Sequence, residues 1–297
     1  MSSHPQTAAQ HAAIDPATEM GTVRLTVSDL ARSAAFYERA VGLRAEEIAD
    51  GGIALRAADG PPLIELHSDG SAPPLDRHRT GLFHLAVLLP SRVELALALA
   101  RLAAAEWPLD GASDHLVSEA LYLSDPDGNG IEIYRDRPRE DWRWSEDGVA
   151  MATLPLDLRN LLAELPPQRP HEGDLGVPAG TRIGHVHLQV ADLADAEAFY
   201  SGVLGFDVVT RGYPGALFVS AGGYHHHLGL NTWHSAGAPP PEPGAVGLRS
   251  FEVTLPHDDA LAAVLARVRG AGLPLETLAE GTGVRDPSGN LVVLRAG

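Results

Sequence analysis

Residues 22–43, TVRLTVSDLARSAAFYERAVGL, align without a gap on residues 185–206, HVHLQVADLADAEAFYSGVLGF. Identities fall at Val23/Val186, Asp29/Asp192, Leu30/Leu193, Phe36/Phe199, Tyr37/Tyr200 and Gly42/Gly205. A repeat of this length fixes the organisation of the chain before any single element is assigned. Within each copy an alternating apolar strand runs into an amphipathic helix, which Ser28 or Asp29 caps at its start and Gly42 stops. A second pair of segments also matches. GLFHLAVLLP at 81–90 resembles GLRSFEVTLP at 247–256; each leads into an alanine-rich helical stretch and later into a related turn, DPDGN at 125–129 or DPSGN at 286–290. Short strands between glycine and proline turns complete each copy.

The chain therefore reads as four modules, near 20–68, 80–136, 181–233 and 246–297, each with the order βαβββ. The expected fold class is α+β, the modules forming two domains at 20–140 and 181–297. Residues 1–19 read as a disordered tail, and 141–180 as a linker that packs in part through a short helical pattern around Leu156–Leu165 and two tryptophans.

Composition narrows the function classes. The 297 residues are 44% hydrophobic, enough for two proper cores. Twenty-two basic against 39 acidic side chains give a formal net charge of −17, which disfavours nucleic acid and anionic membrane surfaces as partners. No apolar run approaches the roughly 20 residues that span a bilayer, and the first residues lack a secretory pattern, so a cytoplasmic location is expected. Cysteine is absent. Any metal must then be held by histidine and carboxylate, which favours Fe(II), Mn(II) or Zn(II). Of the 14 histidines, His4, His11 and His171 read as solvated side chains.

Four modules of this kind resemble the vicinal oxygen chelate superfamily, which includes glyoxalase I, bleomycin-resistance proteins and type I extradiol dioxygenases. The resemblance covers nearly all of the chain from residue 20. It implies sheets built from paired modules, with a divalent metal held by residues of the first and last strands of a module. Strand parity then selects positions. With Phe83, Leu85, Val87 and Leu89 on the helix-facing side, His84 faces the other way; its equivalents are Thr22, His185 and Ser250. On the last strands Ile131 and Ile133 face the core and Glu132 faces inward, where Val293 stands in module four, Glu65 near this place in module one and Gly229 in module three. The expected metal ligands are His84, Glu132 and His185, two histidines and a carboxylate that leave positions open on Fe(II), with Mn(II) as the other candidate. His187 and Glu65 are the rival ligands. For the three to meet, module two must pair with module three and one with four, within a chain or across a homo-oligomer.

Residues 114–134, DHLVSEALYLSDPDGNGIEIY, resemble the extradiol dioxygenase signature through His115, Leu121, Tyr122, Asp125, Pro126, Gly128 and Glu132; Ser113 departs from its usual residue choice. In more detail the sequence resembles two-domain catechol 2,3-dioxygenases that carry a YHHH strand, here Tyr224–His227. The resemblance implies cleavage of an aromatic diol by O2, with Tyr122 and His115 bonding the substrate and oxygen-derived groups. It also implies an acid/base histidine on the last strand of module three. Parity from Gly229 gives that role to His227, with His225 in reserve, and Gly229 itself is read as room for the substrate ring. A glyoxalase-type lyase or isomerase with Zn(II) or Ni(II), needing a fourth ligand such as Glu65, and a non-catalytic binding module stay open as alternatives.

Overall fold

The computed structural model describes residues 13–58, 60–68, 70–145, 148–167 and 176–297. Module one comprises β1 (Glu19–Thr26), α1 (Leu30–Phe36), β2 (Arg44–Glu47), β3 (Ile53–Arg56) and β4 (Ile64–His67). Module two comprises β5 (Gly81–Leu89), α2 (Arg92–Ala104), β6 (Gly111–Asp114), β7 (Ser118–Ser124) and β8 (Gly130–Asp136). Between the halves lie β9 (Trp144–Ser145), β10 (Gly148–Val149), β11 (Leu154–Pro155) and α3 (Leu158–Leu162). Module three follows with β12 (Arg182–Gln189), α4 (Leu193–Glu197), β13 (Asp207–Thr210), β14 (Ala216–Ser220) and β15 (Leu228–Asn231). Module four closes the chain with β16 (Gly247–Leu255), α5 (Asp258–Gly270), β17 (Glu276–Thr277), β18 (Thr282–Arg285) and β19 (Leu291–Ala296).

Local chemistry explains the repeated stretch that opens modules one and three. The Asp29 carboxylate accepts from the Arg32 N–H at 2.9 Å and Asp192 accepts from the Ala194 N–H at 2.7 Å, capping α1 and α4. Both helices widen into a π-helical turn at their ends, and Gly42 (φ 87°) takes the left-handed conformation that stops the first. The matched tyrosines have a shared purpose. Tyr37 donates to Asp125 of the DPDGN turn at 3.3 Å, and Tyr200 donates to Asp286 of DPSGN at 2.8 Å. Each bond ties the helix of one module to the turn before the last strand of the next.

Two sheets result, with strand orders β17-β18-β19-β16-β1-β4-β3-β2 and β11-β6-β7-β8-β5-β12-β15-β14-β13-β10-β9. Module one thus pairs with four through β1 and β16, and module two with three through β5 and β12. The helices and the apolar faces of both sheets share one core, in which Leu25, Leu85, Val186 and Phe251 are fully buried. No described helix is long and apolar enough to cross a membrane.

Two expectations about the connecting segments change. Residues 1–12 of the expected tail lie outside the described residues, but within 13–19 Ile14 and Thr18 are buried, and Ile14 donates its N–H to the Gly205 carbonyl at 2.7 Å ahead of β1. The linker is more than a connection. Its β10 pairs with β13 at one outer edge of the eleven-stranded sheet and its β11 with β6 at the other, so residues 150–153 form a strap across that sheet.

Candidate metal centre and active site

Register builds the centre. Across the eleven-stranded sheet Tyr122 on β7 lies opposite Glu132 on β8, Glu132 lies beside Ala86 on β5, and Ala86 lies opposite His185 on β12. His84 stands two residues before Ala86 and so shares its face. Ala86 is fully buried and carries only a methyl group, which lets Glu132 and His185 reach across it. Nε2 of His84 and Nε2 of His185 each lie 3.1 Å from the same oxygen, Oε2 of Glu132. The three ligand atoms are all within 4.8 Å of one another, and all three residues are buried.

This donor set fits a divalent metal. Ligand atoms about 2.1 Å from one ion and at right angles to each other stand about 3.0 Å apart, close to the spacing found. His84 Nε2 is buried and, although 3.1 Å from the carboxylate, makes no hydrogen bond of good geometry. Burial pushes the Glu132 carboxyl up, yet the imidazoles of His185 and His84 outweigh it and hold the group well below the usual carboxylate range. For His185 burial dominates and brings the imidazole down to about 4, against the pull of Glu132. Carboxylate and neutral imidazole are the forms that bind metal. Glu65 is elsewhere: it lies on β4 of the other sheet, 2.6 Å from the Arg24 guanidinium. His187 lies beside His84, ring centroids 4.9 Å apart, but outside the ligand cluster.

A cavity of about 300 Å³ opens onto His84 and Glu132 of the triad. His115 and Tyr122 line it as a bonded pair. His115 Nδ1 lies 2.7 Å from the Ala152 carbonyl of the strap and its Nε2 lies 2.7 Å from the Tyr122 hydroxyl. Nδ1–H therefore donates to the strap and Nε2 accepts from the phenol. Burial, reinforced by Glu132, raises Tyr122 well above its ordinary range, so it stays a donor.

The three adjacent histidines are distributed differently from the parity reading. His226 lines the cavity, with its ring centroid 4.1 Å from that of His185; His227 and His225 do not line it. His227 lines a separate cavity of about 150 Å³, and its Nδ1 accepts from the Ala221 N–H at 3.1 Å. Alternation fails here because β15 begins only at Leu228, and Ala221–His227 form bends and a turn. His225 is fully buried, with Nε2 2.9 Å from the Asp136 carboxylate and Nδ1 2.8 Å from Nδ1 of His226. With Nε2–H given to Asp136, His225 accepts at Nδ1; His226 donates its Nδ1–H and keeps a lone pair at Nε2. Asp136, His226 and Ala152 were not singled out by sequence reasoning; His226 alone carried a signal, as the middle of the triplet.

Two further positions are corrected. Phe83 lines the cavity instead of the core, because a register shift between His187 and Leu188 against β5 lets Leu82 and Leu85 both face inward. Gly229 makes room for His187: a Cβ there would lie 2.8 Å from the imidazole Cγ. That space is not left for substrate.

Comparison with known proteins places these features. The chain is 46% identical over 274 residues to a catechol-2,3-dioxygenase of Bacillus subtilis (strain 168), covering 91% of this chain and 94% of the relative. Its fold is similar to that of a Bacillus subtilis protein described as a dioxygenase (TM-score 0.64, 14% identity, 96% and 86% of the two chains covered). Glyoxalase I from Zea mays is also similar in fold (TM-score 0.56, 15% identity, 93% and 92% covered). Residues 19–133 and 182–294 match the model of one family, and with the paired sheets described above they show that this chain belongs to the Glyoxalase/Bleomycin resistance protein/Dioxygenase superfamily.

Proposed function

We propose that the chain is an extradiol dioxygenase, which opens the ring of a catechol-type diol at the bond beside the two hydroxyls. Both atoms of O2 enter the product, so the reaction needs no external reductant. The observation that carries this reading is the convergence of His84 Nε2 and His185 Nε2 on one oxygen of Glu132, beside a cavity that His84, Glu132, Tyr122, His115 and His226 line. The relative at 46% identity, a catechol-2,3-dioxygenase, supports it.

His84, Glu132 and His185 would hold Fe(II), with Mn(II) as the other candidate; bound there, the cation supplies open positions for an aromatic diol and dioxygen. The remaining work falls to side chains. His226, with its lone pair at Nε2, takes a proton from the diol, and the Asp136–His225 pair holds it in that tautomer. Tyr122 gives its one O–H proton to His115, whose tautomer the strap carbonyl of Ala152 fixes, so its oxygen is left to accept a hydrogen bond from a bound diol. Phe83, Phe218 and Trp233 give the cavity apolar lining beside the reacting groups. A glyoxalase-type site with a second glutamate is disfavoured, since the described residues near the triad offer no other carboxylate as a ligand.

Anaerobic loading with Fe(II), followed by catechol and air, is expected to give oxygen uptake and a yellow ring-opened product. His84→Ala, Glu132→Ala and His185→Ala should each lose stoichiometric iron, whereas Thr22→Ala and Ser250→Ala keep it. Full iron retention in the first three variants would overturn the ligand assignment.

A further inference from the structure

The cavity that His227 lines shares no lining residue with the one beside the triad. Four stretches wall it: residues 16–20 at the entry to β1, the turn at Arg139, the start of β12 at 182–184, and the bends between Ala221 and His227. Tyr224 on its wall donates to Asp136 at 3.2 Å, so the cavity backs onto the Asp136–His225–His226 array.

Its charges set it apart. Arg139 and Arg182 both line it, both are exposed, and neither makes an ion pair among the described residues. Arg139 is held at the wall by stacking, its guanidinium 5.5 Å from the Trp142 ring and 5.7 Å from the Tyr224 ring, and it gives one N–H to the Gly222 carbonyl at 3.3 Å. Its other donors stay available. Burial, then the imidazoles of His225 and His185, keeps His227 neutral, and both guanidiniums add to that effect, so the two cations act on one spot. Because Nδ1 of His227 accepts from the Ala221 N–H, the ring carries its proton on Nε2, where no described residue accepts it. Thr18 lines the same cavity; it is 2% exposed and its Oγ1 has no hydrogen-bond partner. Against these donors stands one carboxylate on the wall, the exposed Glu19.

We infer that this cavity binds one compact oxyanion, a phosphate or a short carboxylate, clasped between Arg139 and Arg182 and accepting a hydrogen bond from His227. Two guanidiniums on separate elements present forks of N–H donors that suit such an ion. In a chain with 39 acidic and 22 basic side chains, two arginines that share a cavity without an ion pair leave the place of the counter-charge to an anion from outside. The volume of about 150 Å³ lies below the range of ordinary small-molecule sites, so an ion of a few heavy atoms fits and larger organic ligands do not. The inference does not depend on the reaction proposed above.

The test titrates the metal-free full-length chain, in which no iron competes for the anion, with inorganic phosphate and separately with acetate, by calorimetry at constant ionic strength. One site per chain is expected, with Kd on the order of 1 mM or below for at least one of the two anions. Saturable binding of either supports the inference, and the comparison tells which oxyanion the site prefers. Arg139→Ala and Arg182→Ala should each weaken that binding by about 10-fold or more. Arg211→Ala, at an exposed arginine paired with Glu197, should leave it unchanged. In the wild type the ring nitrogen signals of His227 should shift on saturation, which locates the ion without any variant. No saturable binding of either anion, a silent His227 ring, or a loss in Arg211→Ala as large as in the two cavity variants overturns the inference.

Discussion

At the scale of single residues the three adjacent histidines show how neighbours in sequence serve three different places. His226 enters the cavity, His225 joins it to Asp136, and His227 turns into the second cavity. Burial, then the surrounding imidazoles, holds His226 well below its ordinary range, and burial brings His227 down to about 3. Because His226 lines the cavity but lies outside the ligand cluster, His226→Ala should keep its iron but slow turnover by roughly 10²-fold or more, the usual scale for an acid/base group. Asp136→Asn should lower kcat more than it raises KM, because the amide can offer an N–H to His225 and reverse the tautomers. His227→Gln should stay within a few-fold of wild type. Steady-state kinetics with iron analysis checks all three, and wild-type turnover in His226→Ala would remove that residue from the mechanism.

At the scale of elements, β12 and β15 show what a glycine can do for its neighbour strand. Gly229 lies beside His187 in the parallel pair, and the missing side chain is the space the imidazole occupies. Gly229→Ala should cost about 1–3 kcal/mol as the ring is forced against Phe83, Phe218 and Trp233. Iron should remain, since His187 is not in the ligand cluster; urea unfolding and metal content measure the two effects. The same elements show where sequence was legible. Along β8 the alternation was regular, so Ile131 and Ile133 were readable as core and Glu132 as facing away from it. It broke where backbone broke: at the register shift near Phe83 and at the bends before Leu228. Nothing in residues 148–155 announced a strap, because β10 and β11 are two residues each and find their partners at distant sheet edges.

For the molecule as a whole, the repeat made the pairing of modules readable, and the two sheets then diverge at the same positions. In the repeat alignment Thr22, Ser250 and Val293 take the places of His185, His84 and Glu132, while Arg24 takes that of His187 and Glu252 that of Ala86. The eight-stranded sheet holds its own cation there. Arg24 Nε lies 2.6 Å from Glu65 and its Nη2 2.7 Å from Glu252, with all three side chains largely buried. Burial works against the Arg24 charge, but the neighbouring glutamates outweigh it and raise the guanidinium above its ordinary value. Replacing the arginine removes the cation that Glu65 and Glu252 share, leaving Glu252 with the Thr22 N–H at 3.2 Å and a 3.9 Å contact to Arg295, a change on the scale of about 3–5 kcal/mol. Arg24→Met should therefore lower the thermal midpoint sharply, while below that midpoint it binds one iron as the wild type does, because the triad lies wholly in the other sheet. Circular dichroism and iron stoichiometry on the same sample separate the outcomes. Loss of iron from folded Arg24→Met would mean that the two sheets share one metal-dependent unit, against the division of labour that their side chains describe.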